Sequence, residues 1–390
     1  MLLGLVDKHV LLLVCKQNNT GRHPTGNQQG KELISFETLI GRGPAPLLGI
    51  DIRSSTVKLV ELGRNREGAL VLEHCGIEPF ERGWVNEGNV EKFDEVAEAL
   101  RRLLRRCGSK TRQVALALPG SAVITKKIVL AADLDSDELE AQVEAEASQY
   151  IPFPLAEVSL DFCVIGPSAG APGMLDVLLA ASRRERVSDR QALAEAAGLV
   201  PVVMDVEPYA TRLAAARVIE ALPRQGRDAL IALFEVGSHA TSLQVIRNDD
   251  VIYERDQVFG GALLTQQIAQ RYGLSFEEAD ARKKSRDLPS DYGKVLNPFL
   301  DNLGQEIGRA LQFFFTSTPH NKVDHVLLSG GCAALPGVVD AVAAQTAFPC
   351  QVINPFDGMI LGPGVKVGLL ESDATSYLVA TGLALRRFHP

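Results

Sequence analysis

Short apolar runs separated by polar turns fill the stretch between residues 47 and 118. Three strands are predicted at its start, at Leu47–Ile52, Val57–Leu62 and Ala69–Ile77. Further along, apolar residues recur on one helical face, which predicts a helix over Val90–Arg106 with Asn89 as its cap. Gln113–Leu118 is almost entirely apolar and predicts a buried strand. Together these elements indicate an α/β half-domain.

The same order of strands recurs after a polar hinge at Pro223–Arg227. An apolar strand is predicted at Ala229–Val236, and the small polar turn Gly237–Thr241 follows it. Two further strands, Ser242–Arg247 and Val251–Gln257, complete a second meander. This recurrence indicates internal duplication, and 390 residues are too many for one ordinary core. The sequence therefore predicts two lobes.

A different pattern separates the two meanders. Its predicted order is strand, helix, two strands, helix and strand, at Val123–Val129, Ser136–Tyr150, Val158–Ile165, Met174–Ala181, Arg184–Ala197 and Val200–Val206. Prolines in the run Ile151-Pro152-Phe153-Pro154 end the first of these helices. A unit of this size is expected to be a compact subdomain inserted into the first lobe.

The composition is that of a soluble globular protein, with 46% hydrophobic and 23% charged residues. A net charge of −8 argues against a general nucleic-acid binder, because such proteins need a basic surface. No uninterrupted apolar run reaches the length of a membrane span. The six cysteines are scattered without a C-x-x-C pair, which argues against a structural metal site.

The turn between the first two predicted strands carries the candidate chemistry. Asp51 lies at a strand end, and Arg53-Ser54-Ser55-Thr56 and Lys58 follow it. Hydroxyl and backbone donors beside a lysine suit the phosphates of a nucleotide, and a carboxylate can hold the water shell of Mg²⁺. A plain hairpin is the alternative, because short motifs match freely. The second copy of the pattern favours the nucleotide.

Two glycine pairs strengthen this interpretation. Gly260-Gly261 opens a predicted helix over Ala262–Tyr272, where glycine allows a phosphate to approach free backbone N–H groups. Gly330-Gly331 follows a predicted strand at Val323–Leu328. Both pairs are typical of turns that approach a ligand closely.

Five segments within residues 47–390 follow one another in the same order as the motifs of a known protein family. Leu47–Leu62 and Leu233–Leu243 resemble two phosphate motifs, Leu327–Pro336 resembles an adenosine motif, and Val114–Pro119 and Ala374–Leu385 resemble two connecting segments. The chain thus resembles the actin, Hsp70 and sugar-kinase ATPase superfamily and, within it, the PilM family of type IV pilus assembly proteins, relatives of the cell-division protein FtsA. The resemblance implies an α/β, two-lobed actin-like (ribonuclease H-like) fold with an inserted subdomain of the FtsA/PilM type in the first lobe.

The resemblance also implies a domain layout. Residues 1–45 are expected to form an N-terminal extension that is disordered in part. The first lobe is expected to comprise residues 46–119, 201–225 and 374–390, with the inserted subdomain at 120–200. The second lobe is expected at 226–373, including a helical subdomain at about 261–320.

An ATP site with Mg²⁺ is implied as well. In the first lobe, Asp51 would hold the metal through water, while Ser54, Ser55, Thr56 and Lys58 would face the terminal phosphates. In the second lobe the implied nucleotide-binding residues are Glu235, Gly237, Ser238, Gly260, Gly261, Lys283, Gly330 and Gly331. The glycines would approach the phosphates and let the adenosine lie flat, and the lysine would lie near the base.

Two departures bear on catalysis. The second phosphate motif of the family begins with Asp, and here Glu235 stands in that position. Displacement of a reacting group by about 1 Å can cost on the order of a hundredfold in rate. Val114–Leu118 is wholly apolar, so no catalytic base is visible there. The sequence supports nucleotide binding with weak or no ATPase activity, and an active ATPase or phosphotransferase is the alternative.

The family resemblance implies a partner and a location. Members bind the short cytoplasmic N-terminal tail of the inner-membrane protein PilN, and other cytoplasmic proteins of the pilus machine are possible partners. The residues expected to line the groove are Tyr150, Ile151, Phe153, Leu155, Val158 and Phe162, although a helix stop with core aromatics explains them equally well. The protein is expected in the cytoplasm, peripheral to the inner membrane through partners. A membrane-associated filament like that of FtsA is a further alternative. FtsA relatives end in an amphipathic membrane helix, and no such helix follows Ala374–Leu385 in this sequence, so self-anchoring is not expected.

Overall fold

The computed structural model describes residues 44–285 and 287–389. The prediction for the N-terminal extension falls almost entirely on residues 1–43, outside the described residues. The chain forms two compact units. Unit 1 extends to Ala210 and also contains Ile360–Gly364 and the residues from Gly382 onward, whereas unit 2 contains Thr211–Met359 and Val365–Thr381.

The elements as far as β10 are, in chain order, β1 (Leu48–Ile52), β2 (Thr56–Arg64), β3 (Leu70–Pro79), β4 (Val85–Asn86), β5 (Asn89–Val90), α1 (Phe93–Cys107), β6 (Gln113–Leu118), β7 (Val123–Ala131), α2 (Ser136–Tyr150), β8 (Val158–Pro167), β9 (Met174–Arg183), α3 (Arg184–Ala196) and β10 (Val200–Val206). The following elements are α4 (Glu207–Ile219), β11 (Ile231–Val236), β12 (Thr241–Arg247), β13 (Asp250–Gln257), α5 (Gly261–Tyr272), α6 (Phe276–Ser285), α7 (Gly293–Ser317), β14 (His325–Ser329), α8 (Val338–Thr346), β15 (Cys350–Val352), β16 (Ile360–Leu361), α9 (Val367–Asp373) and α10 (Leu378–Leu385). Short 3₁₀ turns connect several of them.

The main sheet of unit 1 has six strands in the order β10–β6–β1–β2–β3–β16. β1, β2 and β3 form the predicted antiparallel meander. β6 and β10 extend it in parallel beyond β1, and β16 pairs in parallel with β3 at the other edge. β16 was not predicted from the sequence, because it has only two residues and no alternating apolar pattern surrounds it.

Helix α1 begins later than the sequence indicates. Asn89 and Val90 pair with Asn86 and Val85 in a small hairpin, so Asn89 is not the helix cap. Lys92 occupies the cap position and makes no capping bond with its side chain. The apolar face was predicted correctly, because Val96, Leu100 and Leu103 are buried in the core of unit 1.

The inserted subdomain has its own three-stranded antiparallel sheet in the order β7–β9–β8. Helix α2 packs on it through Val143 and Ala147, which join a small core with Val177 and Leu179. Asp135 caps this helix by accepting hydrogen bonds from the backbone N–H groups of residues 137 and 138. The structure therefore confirms an inserted subdomain with a separate core.

Unit 2 has a five-stranded sheet in the order β13–β12–β11–β14–β15. β11, β12 and β13 form an antiparallel meander, and β14 and β15 extend it in parallel beyond β11. Five strands of unit 1, in the order β3–β2–β1–β6–β10, have the same directions and neighbours. This correspondence confirms the predicted internal duplication.

The helices of unit 2 cover its sheet with a large apolar core. Phe299, Leu303, Ile307 and Phe314 of α7 are fully buried against β-strand residues such as Phe234. The spacing of apolar residues in the sequence predicts a helix over Leu296–Ser317 with this face toward a core, and the helix begins three residues earlier, at Gly293. Within residues 44–285 and 287–389, no helix has the length and apolar character needed to cross a membrane.

Candidate functional site

The β1–β2 hairpin of unit 1 places Asp51 opposite Lys58 on neighbouring strands. Lys58 Nζ donates to Asp51 Oδ2 at 3.1 Å, and Arg53 Nε donates to Asp51 Oδ1 at 2.8 Å. The Asp51 side chain is only 1% exposed. Burial by itself raises the pKa of Asp51, but the charges of Arg53 and Lys58 outweigh burial and hold that pKa below its ordinary value.

The turn between these strands is fixed by backbone hydrogen bonds. The N–H of Arg53 donates to the carbonyl of Thr56 at 2.9 Å, and the N–H of Phe80 donates to the carbonyl of Ser55 at 3.0 Å. Arg53, Ser54, Ser55 and Thr56 are all half-buried. The structure thus brings together the five predicted residues of unit 1 in one hairpin.

Two charged residues beside the hairpin were missed by sequence reasoning. Glu207, the first residue of α4, accepts from Arg53 Nη1 at 3.0 Å. Arg190 of α3 is buried, and its Nη2 donates to the carbonyl of Gly88 at 2.9 Å. Burial lowers the pKa of Arg190 below its ordinary value, although the nearby negative charges of Glu207 and Asp51 oppose this shift. Both residues lie more than a hundred positions from the hairpin in the chain, and nothing in the sequence around them indicates that they contact it.

The arrangement around Asp51 does not fit a resident hydrated metal. Each carboxylate oxygen already accepts from a cationic side chain, and the carboxylate has almost no exposed surface. A water-bridged Mg²⁺ needs carboxylate oxygens directed at its water shell. Among the residues that the structure describes, no group of three or more His, Cys, Asp or Glu side chains could hold a metal ion.

The corresponding turn of unit 2 follows β11. Glu235 is half-buried and pairs in register with Ser242 of β12 and Ser329 of β14. Two residues on, the N–H of Gly237 donates to the carbonyl of Ala240 at 3.0 Å and closes the turn. Glu235, Gly237 and Ser238 are therefore adjacent at the end of a buried strand, as the sequence predicts.

The start of α5 packs directly on this turn. The N–H of Gly261 donates to the carbonyl of Gly237 at 2.9 Å, and the N–H of Ala262 donates to the carbonyl of Ser238 at 2.8 Å. The N–H of Gly261 is therefore bonded within the fold and is not free for a phosphate, contrary to the prediction. Close packing explains both glycines, because a Cβ on Gly260 would lie 2.5 Å from the Ser238 carbonyl oxygen.

The second glycine pair follows β14. Gly330 has a φ of +89°, and a Cβ there would lie 2.4 Å from the carbonyl oxygen of Val236. Thr375 donates from Oγ1 to the Gly330 carbonyl at 2.8 Å and accepts the Gly330 N–H on its own carbonyl at 2.8 Å. Gly331 differs, because a Cβ there would meet no described atom within 4 Å. Open space beside Gly331 is compatible with a flat ligand.

Lys283 lies on α6 and turns toward the first turn of α5. Its Nζ pairs with Asp280 at 3.0 Å and donates to the hydroxyl of Thr265 and the carbonyl of Gly261. The buried thiol of Cys332 packs on the same glycine, where a Cβ would lie 2.5 Å from the sulfur. Burial raises the pKa of Cys332 to about 11, which disfavours the thiolate form at neutral pH.

The residues predicted to line a partner groove divide by burial. Ile151 and Val158 are buried in the core of the inserted subdomain, and the partly buried side chains that pack against this core include Phe153, Leu155 and Phe162. Tyr150 is 42% exposed, with Lys126 Nζ 5.0 Å from its ring centroid. Most of this set therefore contributes to a core.

A concave surface in unit 1 lies where α3 meets the loops around β5 and β6. Gly88, Asn89, Pro119 and Asp189 line it, together with Arg190. The Arg190 Nη1 atom is buried and has no hydrogen-bond partner among the described atoms. Such a buried donor fits a ligand that brings a carbonyl or carboxylate oxygen.

Two units of one topology, each with a small-residue turn after its first strand, define the actin-like ATPase fold. The ethanolamine utilization protein EutJ from Carboxydothermus hydrogenoformans shares this fold, with 17% identity, a TM-score of 0.53 and coverage of 88% of this chain and 90% of its own. A chain of the PilM–PilN type IV pilus biogenesis complex is more similar, with 29% identity, a TM-score of 0.72 and coverage of 88% and 99%. Residues 49–388 match the family described as type IV pilus assembly protein PilM, and the chain belongs to that family.

Proposed function

We propose that this protein is an ATP-binding adaptor of the type IV pilus assembly machine and that it binds the cytoplasmic N-terminal tail of PilN. The observation that carries the proposal is the similarity to a chain of the PilM–PilN complex over 99% of that chain. Membership of the PilM family over residues 49–388 supports it. The protein would act in the cytoplasm, at the inner membrane through PilN.

Nucleotide binding is the second part of the proposal. Its support is the pair of related turns, one at residues 51–58 and one at residues 235–238, with the open space beside Gly331. Ser54, Ser55 and Thr56 would bind phosphate through backbone and hydroxyl donors, and Gly331 would lie against the adenosine. ATP turnover would be slow, because Glu235 has one methylene more than Asp and β6 offers only apolar side chains.

For the PilN tail we propose the surface of unit 1 where the inserted subdomain meets the main sheet. The buried donor of Arg190 supports this choice, because it would pair with an oxygen of the peptide. Tyr150 is the exposed member of the predicted groove residues and would add an aromatic contact. Phe153, Leu155 and Phe162 would support the groove from beneath.

Calorimetric titration of the purified protein with a synthetic PilN tail tests the adaptor proposal. We expect a dissociation constant of about 1 μM or tighter, and no heat with a scrambled peptide. Arg190→Met should weaken binding by about tenfold through the loss of one hydrogen bond to a charged donor. Arg105→Met is the matched control, because this arginine of α1 is exposed and pairs only at the surface with Glu98 among its described contacts. Absence of heat with correctly folded wild-type protein would refute the adaptor role.

A further inference from the structure

We infer that unit 1 holds the terminal phosphates of a nucleotide with the guanidinium of Arg53, beside an Asp51 carboxylate that Lys58 helps to neutralise, so that the nucleotide binds without a divalent metal ion. The inference rests on the proposed nucleotide binding and specifies its chemistry. The family resemblance implies a hydrated metal ion at Asp51, but both carboxylate oxygens of Asp51 already accept hydrogen bonds from Arg53 and Lys58. The ligand is a polyphosphate anion in its metal-free form.

The charges beside the hairpin favour an anion. Asp51 and Glu207 contribute two negative charges, whereas Arg53, Lys58 and Arg190 contribute three positive charges, which leaves a net charge of +1. A carboxylate beside a phosphate ordinarily repels it unless a divalent ion lies between them. Here the repulsion of Asp51 is already neutralised by side chains of the same hairpin.

Exposure distinguishes the cation that a ligand can reach from the carboxylate that it cannot. The Arg53 side chain is 29% exposed, whereas that of Asp51 is 1% exposed. Two carboxylates hold the guanidinium, Asp51 at 2.8 Å and Glu207 at 3.0 Å, so its orientation is fixed before a ligand arrives. A fixed planar guanidinium loses little freedom on binding phosphate.

Entry of a metal would also disturb the hairpin. A hydrated ion at Asp51 would have to displace Arg53 or Lys58 from a buried carboxylate. Separating a buried ion pair is costly, because the remaining charge lies in a medium of low polarity. The side chains therefore take over the role that the ion has in a site with an isolated carboxylate.

Fluorescence anisotropy with a fluorescent ATP analogue tests the inference in two buffers, one with Mg²⁺ and one with EDTA. The dissociation constants of the wild-type protein should agree within about threefold. Arg53→Ser should weaken binding in EDTA by about tenfold, since it removes one charge-assisted contact. Mg²⁺ should restore part of that loss, because the substitution frees an oxygen of Asp51 for a metal-bound water.

Two further variants separate charge from structure. Arg53→Lys keeps the positive charge but not the planar guanidinium that Asp51 and Glu207 hold, so in EDTA it should bind more tightly than Arg53→Ser and more weakly than wild type. Arg66→Ser removes an exposed arginine from the turn after β2 and should change binding in neither buffer. Circular dichroism of every variant verifies that it is folded.

The outcomes distinguish failure of the metal-free binding mode from failure of the proposed nucleotide binding itself. Folded wild-type protein that binds the analogue in neither buffer would refute nucleotide binding itself. Binding that requires Mg²⁺ would leave nucleotide binding standing and overturn the metal-free mode. Unchanged affinity of Arg53→Ser in EDTA would likewise overturn the role of Arg53.

Discussion

At the scale of single residues, the neighbours Gly330 and Gly331 show that one dipeptide can contain two different constraints. Gly330 has a left-handed backbone and lies against Val236, so both its φ and its surroundings exclude a side chain. Gly331 has open space at the same distance. The first glycine is therefore required by the fold, whereas the second is available to a ligand.

Gly330→Ala should lower the free energy of unfolding by about 1–3 kcal/mol, the usual cost of a strained backbone position. Gly331→Ala is the matched control and should change stability by less than about 0.5 kcal/mol. Urea denaturation followed by circular dichroism measures both. Equal stability of the two variants would contradict the assignment of strain to Gly330.

At the scale of elements, a buried ion pair holds the end of the chain to the main sheet of unit 1. Arg386 follows α10, and its Nε donates to Asp205 of β10 at 2.6 Å. Both side chains are buried, and Asp205 also accepts the backbone N–H of Val206 at 2.7 Å. An unpaired charge at either position would be left in a low-polarity core.

Arg386→Met should therefore cost about 3–5 kcal/mol of unfolding free energy, because it removes the buried cation that pairs with the carboxylate of Asp205. The double variant Arg386→Met with Asp205→Leu should recover part of the loss, since it removes both charges. Arg309→Met is the control, because Arg309 pairs with Glu306 on the surface of α7, and it should cost less than about 1 kcal/mol. A loss from Arg386→Met as small as that of the control would refute the argument. Guanidinium denaturation provides the comparison.

The elements also show which parts of the structure local sequence determines. The strands of both meanders lie within a few residues of the predicted bounds, because each is an apolar run ended by turn residues. Asn89 was misassigned as a cap, since its pairing with Asn86 competes with the helix. Glu207 could not be assigned to the site from the sequence, because its contact with Arg53 joins residues far apart in the chain.

At the scale of the whole molecule, the two units share the topology of the actin-like ATPase fold, while individual residues of this chain favour nucleotide binding over hydrolysis. Glu235 replaces the shorter acidic residue of the family motif, and the oxygens of Asp51 are both paired with cations. Nucleotide binding and slow turnover are therefore expected together.

Steady-state phosphate release should give a turnover number well below 1 per second, the lower end of values typical of kinases. Glu235→Gln should leave both the affinity for ATP and the residual turnover within about threefold of wild type. The reason is that the longer Glu235 side chain is not expected to position the attacking water, so loss of its charge should not change the rate. A hundredfold fall in turnover with unchanged affinity would instead identify Glu235 as a catalytic residue. Anisotropy with the same preparations measures the affinity.

The division of unit 1 along the chain has a consequence for biosynthesis. After Ala210 the polypeptide supplies unit 1 only twice more, with Ile360–Gly364 and with the residues from Gly382 onward. During translation, β3 lacks its edge neighbour β16 until residues 360 and 361 are made, and Asp205 lacks Arg386 until residue 386 is made. Domains ordinarily fold in order as they leave the ribosome. Along this chain, unit 1 begins before unit 2 and is completed after it, so a nascent chain stalled before residue 360 should remain sensitive to protease in residues 44–210.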